Sequence, residues 1–259
     1  MDQSLDEIEY LSRSENRVQV LKLLTRDALT RRELQDEIGA SQATLSRILQ
    51  DFEKRQWIQK RDAVYEATAL GSWVSDCLSA LQQALSVSDE LQEFEAWLPT
   101  DIDGFDVSWL ANAEVITPTP IEPNAPMDRV EHSLRTGQHV RILSYAYNKT
   151  CLDANMTAVR ERGQRYEAVY SDEAIQSLYD NPEWRDQLDT ILDADTTAIS
   201  VYNGEIPCSV TIVDKVVQLV LRDEHGVIRA MVESKSRPLH KWANSLFEQY
   251  LDDAKSVSS

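Results

Sequence analysis

Residues 16–71 read NRVQVLKLLTRDALTRRELQDEIGASQATLSRILQDFEKRQWIQKRDAVYEATALG. The order of periods in this stretch decides how the N-terminal part folds. Val18, Leu21, Leu24 and Leu29, then Leu34 and Ile38, recur at three- to five-residue spacing, as one buried helical stripe would. Thr30 and Glu33 form the S/T-x-x-E pattern, in which two side chains satisfy the orphan amides of a helix start. Gly39 can end that helix in the left-handed conformation, and Ser41 can cap the next, whose apolar positions are Leu45, Ile48, Leu49 and Phe52. The spacing predicts a helix, a tight turn and a second helix. Trp57 to Lys60 and Val64 to Thr68 then read as two strands around Arg61-Asp62.

The face of the second helix opposite its apolar stripe carries Ser41, Gln42, Thr44, Arg47 and Gln50. Gln and Arg make paired hydrogen bonds to base edges, and Ser and Thr hydroxyls reach phosphates or bases. Arg31 and Arg32 on the preceding helix, with Lys60 and Arg61 at the hairpin tip, complete the candidate DNA-binding set. Any small helical domain must also leave one face polar, so the charge distribution is the useful discriminator. From Arg13 to Asp62 there are 11 Lys+Arg against 8 Asp+Glu, a net +3, while the remainder of this −18 chain is net −21.

ELQDEIGASQATLSRILQDFEKRQWI, followed by YEATALG, resembles the winged-helix domain of archaeal transcriptional regulators. The matching stretch covers about a quarter of the chain. Its Tyr65-x-x-Thr68-x-Leu70-Gly71 ending resembles the point where such domains leave the wing and begin their next helix. The resemblance implies a winged helix-turn-helix, with the second helix in the major groove of double-stranded DNA and the hairpin as the wing. The rest of the chain is more distantly similar to the effector half of archaeal regulators related to the methanogenesis regulator, a βα-repeat domain following the winged helix.

Length and composition agree with one large or two modest globular domains: 259 residues, 42% hydrophobic. No run of about 18 apolar residues is present to span a bilayer, and the first seven residues, MDQSLDE, are acidic where a secretory signal is basic. A cytoplasmic location is expected. A pI near 4.6, with basic residues that are mostly Arg, resembles the proteins of salt-accumulating haloarchaea. Acidic surfaces of that kind stay soluble where molar salt cuts the screening length to roughly 3 Å. Cys77, Cys151 and Cys208 are far apart, with no His or second Cys at metal-ligand spacing, so no metal site is expected. Core filling is the expected role of these thiols, with redox sensing as the alternative.

From Thr68 to about Leu98 only Gly71 interrupts a Gly- and Pro-free run, in which Leu70, Val74, Cys77, Leu81, Ala84, Leu91 and Leu98 fit steps of three and four. One long helix is predicted, or two broken near Ser86-Val87-Ser88, serving as a linker and a homodimer contact or packing against its own C-terminal domain. Beyond Pro99 strands and helices alternate: strand 114–117, helix 127–135, strand 139–147, helix 150–162, strand 165–170, then helices 172–179 and 182–192. Strands 197–202, 209–213, 216–221 and 227–232 and a helix 236–254 follow. The expected architecture is a winged helix-turn-helix domain at 1–70, a linker helix at 71–98, and an α/β effector or dimerisation domain at 99–259 with a mixed parallel and antiparallel sheet.

The chain has no GxSxG elbow, Walker loop, GxGxxG or HExxH, so no catalytic residue and no cofactor is expected. The domain order is faintly similar to the phospholipase-D-type folds of sugar-sensing archaeal regulators. Enzymes of that type carry H-x-K, which His139-Val140-Arg141 only imitates. His132, His225 and His240 are isolated and read as surface or capping residues. Ligands of open α/β sheets collect beyond the carboxyl ends of the strands, which makes Tyr145, Tyr147, Tyr170 and Asp172 candidate binders of a small polar effector. Strand packing is the alternative use of the tyrosines. Arg141 and Arg222 are candidates to pair with an anionic ligand, or for ordinary surface ion pairs.

The expected function is a DNA-binding transcriptional regulator that reads a two-fold operator and is modulated by dimerisation or a small ligand at the C-terminal domain. Two other classes remain open at this stage. One is a protein-interaction module whose winged helix no longer binds DNA, and the other is an enzyme with a DNA-targeting domain.

Overall fold

A computed structural model describes residues 3–192 and 194–257. The chain divides into two compact units, residues 1–82 and 83–259.

The first unit opens with α1 (Gln3–Ser12), a helix that the periodicity did not announce, followed by α2 (Glu15–Arg26). A two-residue strand β1 (Leu29–Thr30) leads into α3 (Arg31–Ile38), and α4 (Gln42–Lys54) follows after a three-residue turn. The hairpin strands are β2 (Ile58–Arg61) and β3 (Val64–Ala67), with Asp62 at a positive φ of 53° in the turn between them. Leu29 and Thr30 add a third antiparallel strand beside β3, giving the order β1-β3-β2. The N-terminus of α3 is a complete capping box. The Thr30 hydroxyl accepts from the Glu33 amide, and the Glu33 carboxylate accepts from the Thr30 amide at 2.7 Å. Gly39 ends α3 at φ 68°, and Ser41 caps α4.

The core of this unit gathers Leu11 from α1, Val20, Leu21 and Leu24 from α2, Leu34 from α3, and Leu45, Ile48, Leu49 and Phe52 from α4, closed by Trp57, Ile58 and Tyr65. Val18, expected in the buried stripe, is only half-buried, and Val20 takes the interior place. Arg55 lies over the Tyr10 ring at 3.9 Å and donates to Glu7, which ties α1 to the end of α4.

Helix α5 (Ala69–Leu91) begins in the first unit and ends in the second. It passes Ser86–Ser88 unbroken and continues as a 3-10 helix over Gln92–Trp97. The second unit is built on an eight-stranded sheet. In chain order, after a 3-10 turn at Val107–Leu110, come β4 (Glu114–Ile116), α6 (Ala125–Thr136), β5 (His139–Ser144) and α7 (Lys149–Arg162). Then follow β6 (Arg165–Ser171), α8 (Asp172–Tyr179), α9 (Pro182–Leu192), β7 (Thr197–Tyr202), β8 (Ser209–Val213), β9 (Val216–Arg222), β10 (Ile228–Ser234), α10 (Arg237–Asp252) and β11 (Lys255–Ser256).

The strand order is β11-β7-β6-β5-β8-β9-β10-β4. Strands β5, β6 and β7 are parallel and joined by helical crossovers, whereas β8, β9, β10 and β4 extend the sheet antiparallel. Two hydrophobic clusters cover the two faces. Helices α6 to α9 pack over Val140, Ile142, Tyr166, Ala168 and Ile199, and α10 with the end of α5 packs over Leu143, Val169, Leu219 and Val232. Burial on both faces explains why β8 and β9 read as near-continuous apolar runs. The whole is an α+β protein with a mixed sheet. No described helix is long and apolar enough to cross a membrane.

Candidate nucleic-acid interface and strand-end pocket

In the first unit the polar face of α4 is fully displayed. Leu45, Ile48, Leu49 and Phe52 are buried, while Ser41, Gln42, Thr44, Arg47 and Gln50 are exposed on the other side. Their hydrogen-bonding states differ. Ser41 Oγ accepts from the Thr44 amide and lies 2.9 Å from the Thr44 hydroxyl, so both are partly engaged in capping. Arg31 donates to the Gln42 carbonyl at 3.0 Å, which fastens α3 to the start of α4. Arg32 faces Asp36 across a loose 4.0 Å pair. Arg61 is paired to Glu66 at 3.0 Å, and Lys60 sits 5.4 Å from the centre of the Tyr65 ring. Arg47 has no ion pair or hydrogen-bond partner among the described residues. It is therefore the exposed cation of α4 that need break nothing to reach a ligand.

Among the described residues, the large exposed apolar side chains of the first unit come from α1 and α5: Leu5, Ile8, Leu70, Trp73 and Leu81. Of the periodic positions of α5, Leu70, Cys77 and Leu81 are exposed together with Trp73. Val74 and Leu78 pack inward on the first core. Trp73 is 67% exposed, an unusual state for so large an apolar side chain.

In the second unit the four residues expected at the strand ends do not form one group. Strand β5 stops at Ser144, so Tyr145 and Tyr147 lie in the loop beyond it rather than in the strand. Tyr145 packs with the cluster under α10, and Tyr147 with the cluster under α6 to α9. The Tyr147 hydroxyl is 3.3 Å from that of Ser177. Tyr170 is buried and its hydroxyl is 3.0 Å from that of Tyr166; burial pushes the Tyr170 phenol up to about 12. Asp172 accepts from Gln176 in the first turn of α8. Arg141 is also taken, by Glu167 at 2.8 Å and Glu248 at 2.6 Å.

His139, the imitation of a catalytic histidine, bonds Glu167 at 2.8 Å. Burial raises the Glu167 carboxyl, but hydrogen bonds from His139, Arg165 and Arg141 outweigh it and bring the group down to about 2. Burial likewise pushes the Cys151 and Cys208 thiols up to about 12, so neither is a ready thiolate near neutrality. Among the described residues, no three His, Cys, Asp or Glu side chains converge as a metal site would require.

What the sequence reading underweighted is Arg222 together with Asn155. Asn155, on α7, is 1% exposed and neither polar atom of its amide has a hydrogen-bond partner among the described residues. It lines a cavity of about 40 Å3 at the end of β5 with Ser144, Ser209, Thr211 and Arg222. A second cavity of about 220 Å3, against Trp97, Ile102, Tyr145 and Cys208, shares Arg222 with the first. A larger open groove of about 660 Å3 along Leu85, Val87 and Leu110 presents no buried unpaired polar side-chain atom among the described residues.

Residues 5–90 match the domain family described as HVO_A0261 N-terminal domain, and residues 123–253 match the middle domain of the methanogenesis regulatory protein FilR1. No curated protein matches the chain. Among solved structures, TrmBL2, described as an archaeal chromatin protein with a novel mode of DNA binding, is 14% identical. It aligns over 93% of this chain and 92% of its own with a TM-score of 0.45. NucT from Helicobacter pylori (15% identity, 56% of this chain, 98% of its own, TM-score 0.46) aligns over a smaller part. So does Nuc, a phospholipase D family member from Salmonella typhimurium (13%, 57%, 99%, 0.45). With the FilR1 middle domain spanning half of its length behind an HVO_A0261-type N-terminal domain, the chain belongs to the family of the methanogenesis regulatory protein FilR1.

Proposed function

We propose that this protein is a sequence-specific DNA-binding transcriptional regulator. Its first unit is read as a winged helix-turn-helix, with α4 entering the major groove and the β2–β3 hairpin serving as the wing. The observation that carries this reading is the exposed face of α4, where Gln42, Arg47 and Gln50 stand opposite a fully buried stripe and Arg47 has no partner among the described residues. Gln42, Arg47 and Gln50 are assigned to base edges, Thr44 and Ser41 to the phosphates at the start of α4, and Arg31, Arg32, Lys60 and Arg61 to the flanking backbone.

A homodimer on a two-fold operator belongs to the same proposal. The exposed apolar residues of α1 and α5 support it, because they face water on elements other than the α4 face. The second unit is assigned a regulatory role, in which a small effector shifts the population of operator-competent dimers through α5, the helix common to both units. The acidic composition supports a reading in which the protein works in the cytoplasm of a salt-accumulating archaeon. There counterion release contributes less to DNA affinity and direct contacts carry more.

The test is genome-wide occupancy by crosslinking and immunoprecipitation at native ionic strength, comparing wild type with Arg47→Ala. Discrete promoter peaks that disappear in the variant are the expected result. Absence of peaks for the wild-type protein would instead favour a protein-interaction module.

A further inference from the structure

We infer that the ends of strands β5, β8 and β9 form a binding site for a small monocarboxylic acid, whose carboxylate sits between Arg222 and Asn155 and whose body lies against Tyr145 and Trp97. The inference deepens the regulatory role given above to the second unit, since it assigns that unit a ligand class.

Arg222 ends β9 on the same side of the sheet as Gln218 and Val220. Its Nη1 donates to the Gly226 carbonyl at 3.1 Å, but its Nε is buried without a partner, and no carboxylate pairs with this guanidinium among the described residues. The other partly buried arginines of the unit are matched: Arg129 by Glu233 and Glu114, and Arg141 by Glu167 and Glu248. A buried guanidinium Nε without an acceptor is costly, and an oxyanion is a ligand that removes the cost. Its field reaches both cavities, for it acts on the Cys151 thiol on one side and the Tyr145 phenol on the other. Asp128 and Glu131 of α6 also act on Cys151, and Glu131 is held by Arg135 at 2.7 Å.

Asn155 is the independent second observation. Burying a carboxamide with both its oxygen and its nitrogen unpaired is costly, and native interiors rarely tolerate it without a bound group. Its nitrogen can donate to a carboxylate oxygen and its oxygen can accept from a hydroxyl or water beside it. Asn155 lies one face along α7 from Asn148, Cys151 and Leu152, which line the same cavity, so the first turn of α7 also borders it. The positive end of a helix favours an anion there.

Size selects among oxyanions. A cavity of about 40 Å3 holds only a few water-sized centres, suited to a flat three-atom carboxylate rather than to a phosphate with its four oxygens. The 220 Å3 cavity, which shares Val220 and Arg222 with the first and is walled by Trp97, Ile102, Tyr145 and Asp101, is the space assigned to a compact body that meets the aromatic rings on one side and polar groups on the other.

The experiment is calorimetric titration of the full-length protein, without DNA and in a constant chloride background, using benzoate as the probe. Benzamide serves as its uncharged counterpart and inorganic phosphate as the alternative oxyanion. Saturable benzoate binding is expected, with affinity reduced at least about tenfold in both Arg222→Lys and Asn155→Leu. Arg222→Lys keeps the charge but loses the planar fork, and so remains informative if Asn155→Leu does not fold. Benzamide should bind at least about tenfold more weakly than benzoate. No saturable benzoate binding, equal binding of benzamide, or phosphate binding as tightly as benzoate would each overturn the assignment. The readout involves no DNA, so loss of operator binding with carboxylate binding intact would count against the regulator reading alone.

Discussion

A Cβ on Gly71 would stand 1.8 Å from the carbonyl oxygen of Trp57, so the first turn of α5 and the start of the β2 strand touch backbone to backbone. Thr68 holds the approach in place. Its amide donates to the Trp57 carbonyl at 2.9 Å, its hydroxyl donates to the Gln56 carbonyl at 2.6 Å, and the same hydroxyl accepts from the Gly71 amide at 3.1 Å. Gly71→Ala therefore forces backbone apart rather than displacing a flexible side chain. It should destabilise the first unit by about 1–3 kcal/mol or more. Thermal unfolding followed by the near-ultraviolet signal of Trp57 and its neighbours checks this, and an unchanged midpoint would refute the contact.

Thr30→Ala removes the capping box at α3. A loss of about 1 kcal/mol is expected, because the Glu33 amide loses its acceptor and Glu33 loses the Thr30 hydroxyl that it accepts from. Thr30→Ser should recover most of that loss. Chemical denaturation of the three proteins side by side distinguishes a capping effect from a general β-strand effect at β1.

The second unit should lose stability in acid through Glu167. Its folded-state value of about 2 lies below the ordinary carboxylate range. The stabilisation is therefore fully present above the unfolded value and disappears as pH falls from about 4.3 through about 2, an effect of up to about 3 kcal/mol. Unfolding free energy measured across that window should slope less steeply in Glu167→Gln. Identical slopes in both proteins would assign the acid sensitivity elsewhere.

Trp73→Asp and Leu81→Asp place charges on the exposed side of α5 without touching the first core. If that side joins two copies, sedimentation should shift from dimer to monomer while helical content stays constant. A dimer unaffected by both substitutions would locate the interface elsewhere.

Lys60→Ala and Arg47→Ala should weaken DNA binding in different ways. Losing Lys60, assigned to a phosphate, should lower affinity for all sequences alike and reduce the salt slope by about 1. Losing Arg47, assigned to a base, should cost about 1–3 kcal/mol on the operator and relax its specificity. Binding isotherms over a salt series, on operator and on scrambled DNA, separate the two.

The local grammar of the first unit was legible in the sequence because its signals act over three or four residues. Thr30-x-x-Glu33, Gly39 and Ser41 mark helix ends by satisfying orphan backbone groups, and each appears in the structure where the sequence puts it. Strands β4 to β10 were legible for a similar reason, though the short β11 was not, and so was the turn at Asp214-Lys215, where Asp214 takes φ 53°. Helix α1 was missed because few of its residues face the core, Leu11 being the one that is buried. The two-residue β1 has too little length to show a period. Tyr145 and Tyr147 were placed in a strand by alternation alone, and the chain leaves the sheet at Ser144, whose hydroxyl bonds Ala146 instead.

The sequence by itself determined most of the elements and their order, the polar and apolar sides of α4 and the restriction of net positive charge to residues 13–62. These follow from periodicity, capping chemistry and composition, which a linear reading contains. Only the tertiary structure decided which charges are already spent and which remain available. Arg141 and Arg222 look alike in the sequence, yet one is held by Glu167 and Glu248 while the other is left with a buried, unpaired Nε beside an equally unpaired Asn155. The pairing of a buried charge depends on residues far away in the chain, 26 and 107 positions from Arg141, and no local pattern encodes where such partners will meet.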